Sequence, residues 1–293
     1  MDMRGDQPVV VGVDGSPESL EAVRWAAAEA HRRHLPLRFV SAVQWLRPGP
    51  VGLTALASVR IHDVAVQSAE AKIDLARSVA RDTAPDLDIR WEVRDGPAAT
   101  VLRDETDSAA MLVVGNRGTG GFGDLLAGSV SVAVAALARC PVVVVRRRTD
   151  PADRTDRPVV VGVDGTRTSE SALSFAFAEA SARQVGLVAV HVWSDDMIDP
   201  FAGPLVDWEA LAVEANSVLA ERLAGWGEKY PDVRVTRDVV RDNAPAVLVD
   251  RSRDAQLVVV GSHGRGRLRG VLLGSVSQAM VRHAHCPVAI VKP

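Results

Sequence analysis

An internal duplication constrains this chain more than any other feature of its sequence. Residues 8–15 return unchanged as residues 158–165, at an offset of 150. Residues 128–131 return as residues 274–277, at an offset of 146, so the second copy is four residues shorter in its middle. A period this long is too large for a solenoid repeat, and each copy should be a domain. We therefore predict domains at 1–147 and 158–293, joined by a charged linker at 148–157.

Composition and charge exclude several classes of protein. The 293 residues carry a formal net charge of −3, which argues against a DNA or RNA partner. Two cysteines cannot form a disulfide framework. The N-terminus is polar, and no apolar run reaches the ~20 residues that span a bilayer. We expect a cytoplasmic protein with no membrane insertion.

Within each copy, short β-branched runs alternate with longer helical patterns. Runs that are apolar throughout indicate strands buried on both faces. Five strands alternating with four helices predict an α/β fold of two tandem Rossmann-like domains, each with a parallel sheet and helices on both faces. In the first copy the strands are predicted at 9–13, 37–43, 89–93, 111–114 and 142–145. The helices are predicted from Pro17, with Ser16 as N-cap, at about 63–83, at about 98–106, and from Ser129. The longest helix of the second copy is predicted at about 208–229.

Two sequence features come directly after strands. In such sheets, ligands bind at the carboxyl ends of the strands. One is Asp14-Gly15 after the first strand, repeated as Asp164-Gly165. The other is a glycine series after the fourth strand, Gly-x2-Gly-x9-Gly-Ser, which has identical spacing in both copies. If the strand order is 3-2-1-4-5, both features open onto one crevice. The series comprises Gly115, Gly118, Gly128 and Ser129 in the first copy, and Gly261, Gly264, Gly274 and Ser275 in the second.

The glycine series has the chemistry of an anion site. Glycines let backbone amides approach an anion without a Cβ in the way. The last glycine precedes a helix, whose free N–H groups and dipole favour phosphate. Asp14 would repel a polyphosphate and should therefore face an adenosine moiety or a metal ion.

Together, these motifs resemble the universal stress protein family, and two copies resemble its tandem members. The resemblance implies the strand order 3-2-1-4-5 and one ATP per domain, which we expect with Mg²⁺. It also implies a regulatory role in stress response or growth arrest, with an unidentified protein partner. Its implied nucleotide-binding residues are Val13, Asp14, Gly15, Ala42, Gly115, Arg117, Gly118, Gly128, Ser129 and Val130 in the first copy. In the second they are Val163, Asp164, Gly165, Val192, Gly261, His263, Gly264, Arg265, Gly274, Ser275 and Val276.

Other interpretations of the same residues stay open. The glycines could only shape a turn, and the two aspartates could only cap helices. A slow ATP hydrolase or autophosphorylating enzyme would use Ser129, Ser131, Ser275 or Ser277 as acceptor, although the sequence places no general base beside them. An interaction scaffold with vestigial sites is a third function. We assign no catalytic or metal-binding residue and expect a regulator rather than an enzyme.

The fifth strands suggest how the domains assemble. An apolar edge strand left unpaired invites aggregation, and the resemblance implies edge pairing. We expect an intrachain pair through residues 142–145 and 288–291; a further homodimer stays open.

Overall fold

The computed structural model describes residues 7–44, 55–119, 128–146, 155–193, 207–264 and 273–293. The chain divides into two compact units, Met1–Arg147 and Arg148–Pro293. Of the expected linker, residues 148–154 lie outside the described residues, and so does Arg265.

Each unit alternates strands with helices. The first contains β1 (Val9–Gly12), α1 (Pro17–Arg33), β2 (Leu37–Val43), α2 (Ala55–Thr83), β3 (Ile89–Asp95), α3 (Ala98–Glu105), β4 (Met111–Gly115), α4 (Ser129–Leu137) and β5 (Val142–Val145). The second contains β6 (Val159–Gly162), α5 (Arg167–Arg183), β7 (Leu187–Trp193), α6 (Trp208–Leu223), α7 (Trp226–Lys229), β8 (Val235–Arg241), α8 (Ala244–Arg251), a 3₁₀ turn (Ser252–Asp254), β9 (Leu257–Gly261), α9 (Ser275–His283) and β10 (Val288–Val291).

The strand order confirms the predicted fold. Val9 of β1 lies opposite Leu37 of β2 on one side and Met111 of β4 on the other, and all of these pairings are parallel. The first unit therefore has the order β3-β2-β1-β4-β5, and the second has β8-β7-β6-β9-β10. Both orders are 3-2-1-4-5. The pairing of the two fifth strands stays a prediction.

Helices cover both faces of each sheet. In the first unit α1 packs beside α2, and α3 packs beside α4. The central strands are buried between these layers, with no exposed surface on Val9, Val11 or Val113. Their uniformly apolar sequence is therefore explained by burial on both faces.

Two helices differ from expectation. Helix α2 begins at Ala55, eight residues before the expected start, and its first three residues, Ala, Leu and Ala, are good helix formers. The predicted helix at 208–229 is two helices, because Gly225 adopts a left-handed conformation (φ 79°) and ends α6. Among the helices of the described ranges, none has both the length and the apolar character needed to cross a membrane.

Candidate functional site

The turn after the first strand is organised by its aspartate. Oδ1 of Asp14 accepts hydrogen bonds from the Ser16 N–H (2.9 Å) and the Ser16 hydroxyl (2.6 Å). Gly15, between them, has a φ of 81°, which favours glycine. Ser16 caps α1 by accepting the Ser19 N–H at 3.1 Å, and Pro17 is its first residue, as predicted.

The second domain repeats this turn with different residues. Oδ1 of Asp164 accepts from the Thr166 N–H (2.9 Å) and the Thr166 hydroxyl (2.7 Å). Thr166 then caps α5 through the Ser169 N–H. In both copies the aspartate therefore holds the cap residue in place, but the cap itself is Ser16 or Thr166 and not the aspartate.

Each aspartate also lies against the glycine loop that follows the fourth strand. Oδ2 of Asp14 accepts the Thr119 N–H at 2.8 Å, and a Cβ on Gly118 would lie only 2.4 Å from that oxygen. In the second domain a Cβ on Gly264 would lie 2.8 Å from Oδ2 of Asp164. The fold thus brings together the two features that the sequence placed on one crevice.

The first glycine of each series makes room for a neighbouring helix, which differs from the expected approach of a phosphate. A Cβ on Gly115 would lie 2.9 Å from the carbonyl carbon of Glu18, in the first turn of α1. A Cβ on Gly261 would lie 2.6 Å from Cγ2 of Thr168, at the same point of α5. These glycines let the end of the fourth strand pack against a helix.

The last glycine closes the loop and begins the next helix. The Gly128 N–H donates to the Asn116 carbonyl at 2.7 Å, and the Gly274 N–H donates to the Ser262 carbonyl at 2.9 Å. Both glycines are N-caps without a side chain that could accept a hydrogen bond. The first amides of α4, at Ser129, Val130 and Ser131, consequently have no acceptor within the described part of the chain.

The four candidate acceptor serines differ in accessibility. Ser131 and Ser277 are buried, and their hydroxyls donate to the carbonyls of Gly128 (2.8 Å) and Gly261 (2.6 Å). Ser129 and Ser275 are exposed at the first positions of α4 and α9. Only this second pair presents a hydroxyl to a ligand.

A comparison with protein-family models settles which family this site belongs to. The universal stress protein family model matches residues 7–146 and again residues 156–292. The chain belongs to the universal stress protein family. A universal stress protein of Mycolicibacterium smegmatis is 43% identical, over 97% of each chain. One of Mycobacterium tuberculosis is 40% identical, over 97% of this chain and 96% of its own. The crystal structure of a universal stress protein from Archaeoglobus fulgidus shares the fold, with a TM-score of 0.69 and 17% identity over 98% of this chain and 97% of that one.

The remaining expected residues of this universal stress protein lie around the same crevice at different depths. Val13 and Val163 are buried, so only their backbones can face a ligand. The Val163 carbonyl accepts a hydrogen bond from Nδ1 of the buried His191 at 2.7 Å. The half-buried residues are Ala42, Val192, His263, Val130 and Val276; Arg117 is exposed.

Two residues of the first universal stress protein domain were missed. Lys72 of α2 is half-buried, and its Cγ would lie 2.7 Å from a Cβ on Gly15. Asn116, inside the glycine series, is buried, and its Oδ1 has no hydrogen-bond partner among the residues that the structure describes. The lysine falls within the helix predicted at 63–83, but only the packing of α2 shows which turn it covers.

The described residues show no metal site formed by side chains alone. They contain no group of three or more His, Cys, Asp or Glu side chains able to hold a metal ion. Both carboxylate oxygens of Asp14 already accept hydrogen bonds. Mg²⁺ commonly binds through substrate phosphates while keeping several waters. The residues that would hold such phosphates are those around the open end of α4.

Proposed function

We infer that each domain of this universal stress protein binds ATP, with Mg²⁺ on the phosphates, and that the chain is a nucleotide-dependent regulator of stress response or growth arrest. The observation that carries this inference is the uncapped start of α4 and of α9. Helices α1 and α5 are capped by Ser16 and Thr166, whereas α4 and α9 start at a glycine. Within the described residues the first amides of α4 and α9 have no acceptor, so these amides and the helix dipole are available to an anion.

The position of Asp14 supports a nucleoside at the other end of the ligand. Its carboxylate lies against Gly118, so it borders the same crevice as the helix that would bind the anion. A carboxylate repels phosphate but accepts hydrogen bonds from hydroxyl groups such as those of ribose. A ligand that is anionic at one end and carries hydroxyls at the other matches this pair of groups.

The test uses Gly274, because an added side chain fits there. Among the described atoms, the nearest to its ideal Cβ position is the His263 Cα at 3.4 Å, the lower limit of ordinary contact. In Gly274→Asp, the carboxylate would cap α9 and add negative charge where the phosphate should bind. We expect isothermal titration to find one ATP site instead of two, while the ligand-free second domain gains about 0.3–1 kcal/mol of stability from the charge at the helix terminus.

Gly274→Ala is the matched control. It adds the Cβ without the charge or the acceptor and should keep both sites. Two unchanged sites in Gly274→Asp would contradict an anion site at α9. Loss of a site in both variants would show that space, rather than charge, governs binding.

Autophosphorylation is the second candidate. It is favoured by the exposure of Ser129 and Ser275 beside the free amides, whereas Ser131 and Ser277 are buried. After incubation with ATP, a phosphate mapped to either exposed serine by mass spectrometry would support this function over simple binding.

A further inference from the structure

Lys72 lies over the turn after the first strand. Its Cγ, Cδ and Cε would be 2.7, 3.1 and 3.3 Å from a Cβ on Gly15, so the aliphatic stem runs along this glycine. Because one more bond adds about 1.5 Å, the ammonium nitrogen lies within about 5 Å of the same point. A helix that is distant in sequence therefore places a cation beside Asp14-Gly15.

Among the described residues, no carboxylate forms an ion pair with this cation. In the part of the chain that the structure describes, Lys72 makes no ion pair or hydrogen bond. The adjacent Asp14 is held instead by Ser16 and Thr119. The turn thus combines a carboxylate that faces the glycine loop with an ammonium group that has no ionic partner within the described ranges.

The second domain has the same turn without the lysine. Asp164 and Gly165 repeat the motif, but α6 (Trp208–Leu223) contains no lysine. The chain has only two other lysines, Lys229 and Lys292. The lysine beside the turn is therefore particular to the first domain, although the glycine spacing of the two sites is identical.

We propose that Lys72 is a ligand-binding residue of the first domain, which offsets the charge of Asp14 and raises affinity for nucleotides according to their phosphate charge. The proposal rests on the nucleotide binding inferred above. An anion that spans the crevice from Asp14 to the start of α4 feels the repulsion of that carboxylate, and a nearby ammonium group reduces it. Since the pair is only partly buried, salt should weaken the effect.

The experiment removes the charge and keeps the stem. Lys72→Met retains a side chain of similar length over Gly15. Calorimetric titration of the full chain with ATP, AMP and adenosine should show one of the two sites weakened about tenfold for ATP at low salt, less for AMP, and not at all for adenosine. The loss should shrink at high salt, and Lys72→Arg should restore ATP affinity.

Lys229→Met is the matched control. Lys229 lies 5.1 and 5.4 Å from the ring centroids of Trp226 and Tyr230, at the end of α7. That helix leads into the start of β8, so this lysine is at the amino end of the strands, away from the crevice. The variant loses the same charge and should bind all three ligands like the unmodified protein.

The outcomes distinguish the role of Lys72 from the nucleotide binding on which it rests. If the unmodified chain binds ATP and Lys72→Met binds all three ligands equally well, the role of Lys72 is refuted while nucleotide binding stands. An equal loss for ATP, AMP and adenosine would mean that Lys72 only packs against the turn, which also overturns the proposal. If the unmodified chain binds none of them, the proposed function itself fails.

Discussion

Gly115 shows how little space a single position in this fold allows. A Cβ there would lie 2.9 Å from the Glu18 carbonyl carbon, and a backbone atom cannot rotate away as a side chain can. We expect Gly115→Ala to lower the free energy of unfolding of the first domain by about 1–3 kcal/mol, as overpacked cores do. Urea denaturation followed by circular dichroism measures this change.

Gly227→Ala is the control for this substitution. Gly227 lies in α7, and no described atom outside its chain neighbours and its own helix backbone lies within 4 Å of its ideal Cβ position. Because alanine is the better helix former, we expect unchanged stability or a gain of up to about 1 kcal/mol. A Gly115→Ala chain as stable as the unmodified one would show that α1 shifts freely.

Sequence alone identified the candidate site residues that recur in both copies, such as Asp14 and Gly118. Recurrence drew attention to them, and the strand order placed them together. Lys72 has no counterpart in the second copy and is distant in sequence, so neither spacing nor repetition could find it. Its place over Gly15 depends on the rotation and packing of α2, which a helical pattern does not specify.

Buried ion pairs connect helix to sheet in the first domain. Glu105, at the end of α3, is 4% exposed; it accepts a hydrogen bond from Arg94 of β3 at 2.5 Å and pairs with Arg38 of β2 at 3.3 Å. The hydrogen bond to Glu105 raises the pKa of Arg94 above its usual value. In the second domain the helix carries the cation and the strand carries the anion: Arg251 of α8 donates to Asp238 of β8 at 2.7 Å.

The ion pairs of Glu105 and of Arg251 should contribute differently to the free energy of unfolding. We expect Glu105→Ala to cost about 1.5–3 kcal/mol, because it removes a buried carboxylate with charged hydrogen-bond partners. The Arg251 side chain is 41% exposed, and Arg251→Ala should cost less than about 1 kcal/mol. Differential scanning calorimetry of both variants makes the comparison, and equal losses would contradict burial as the deciding factor.

Most elements were predictable because their patterns had one interpretation. The strands at 37–43 and 142–145 were predicted with the bounds that the structure has, since their apolar runs match their burial. The break at Gly225 was not predictable. A single glycine inside a helical pattern is compatible both with a continuous helix and with a left-handed turn, and the aromatic stack of Trp226 on Phe177 (centroids 5.0 Å apart) depends on tertiary packing.

At the scale of the whole chain, we propose that the two candidate sites bind ATP without turning it over at the rates of ordinary enzymes. The first glycine series, from Gly115 to Ser129, offers Arg117 as its one basic residue for a γ-phosphate. We expect ATP to raise the melting temperature, since a hundredfold excess over Kd contributes ~2.7 kcal/mol per site. Hydrolysis should stay below the ~1 s⁻¹ of slow ordinary enzymes. Thermal melts measure the change in melting temperature, and timed product analysis measures the hydrolysis rate. Turnover at ordinary enzyme rates that is lost in the Ser129→Ala, Ser275→Ala double variant would favour an enzyme.

The contacts within each domain determine where a mutation in a duplicated gene can be compensated. Asp14 and Thr119 both lie in the first half of the chain, as do Glu105 and Arg94, while Asp238 and Arg251 both lie in the second. A mutation at one of these positions can therefore be compensated within the same half. The helix–sheet ion pair has opposite polarity in the two halves. A recombination event that exchanged one entire half for that of another tandem protein would carry these partners together, which makes the half chain the natural unit of inheritance.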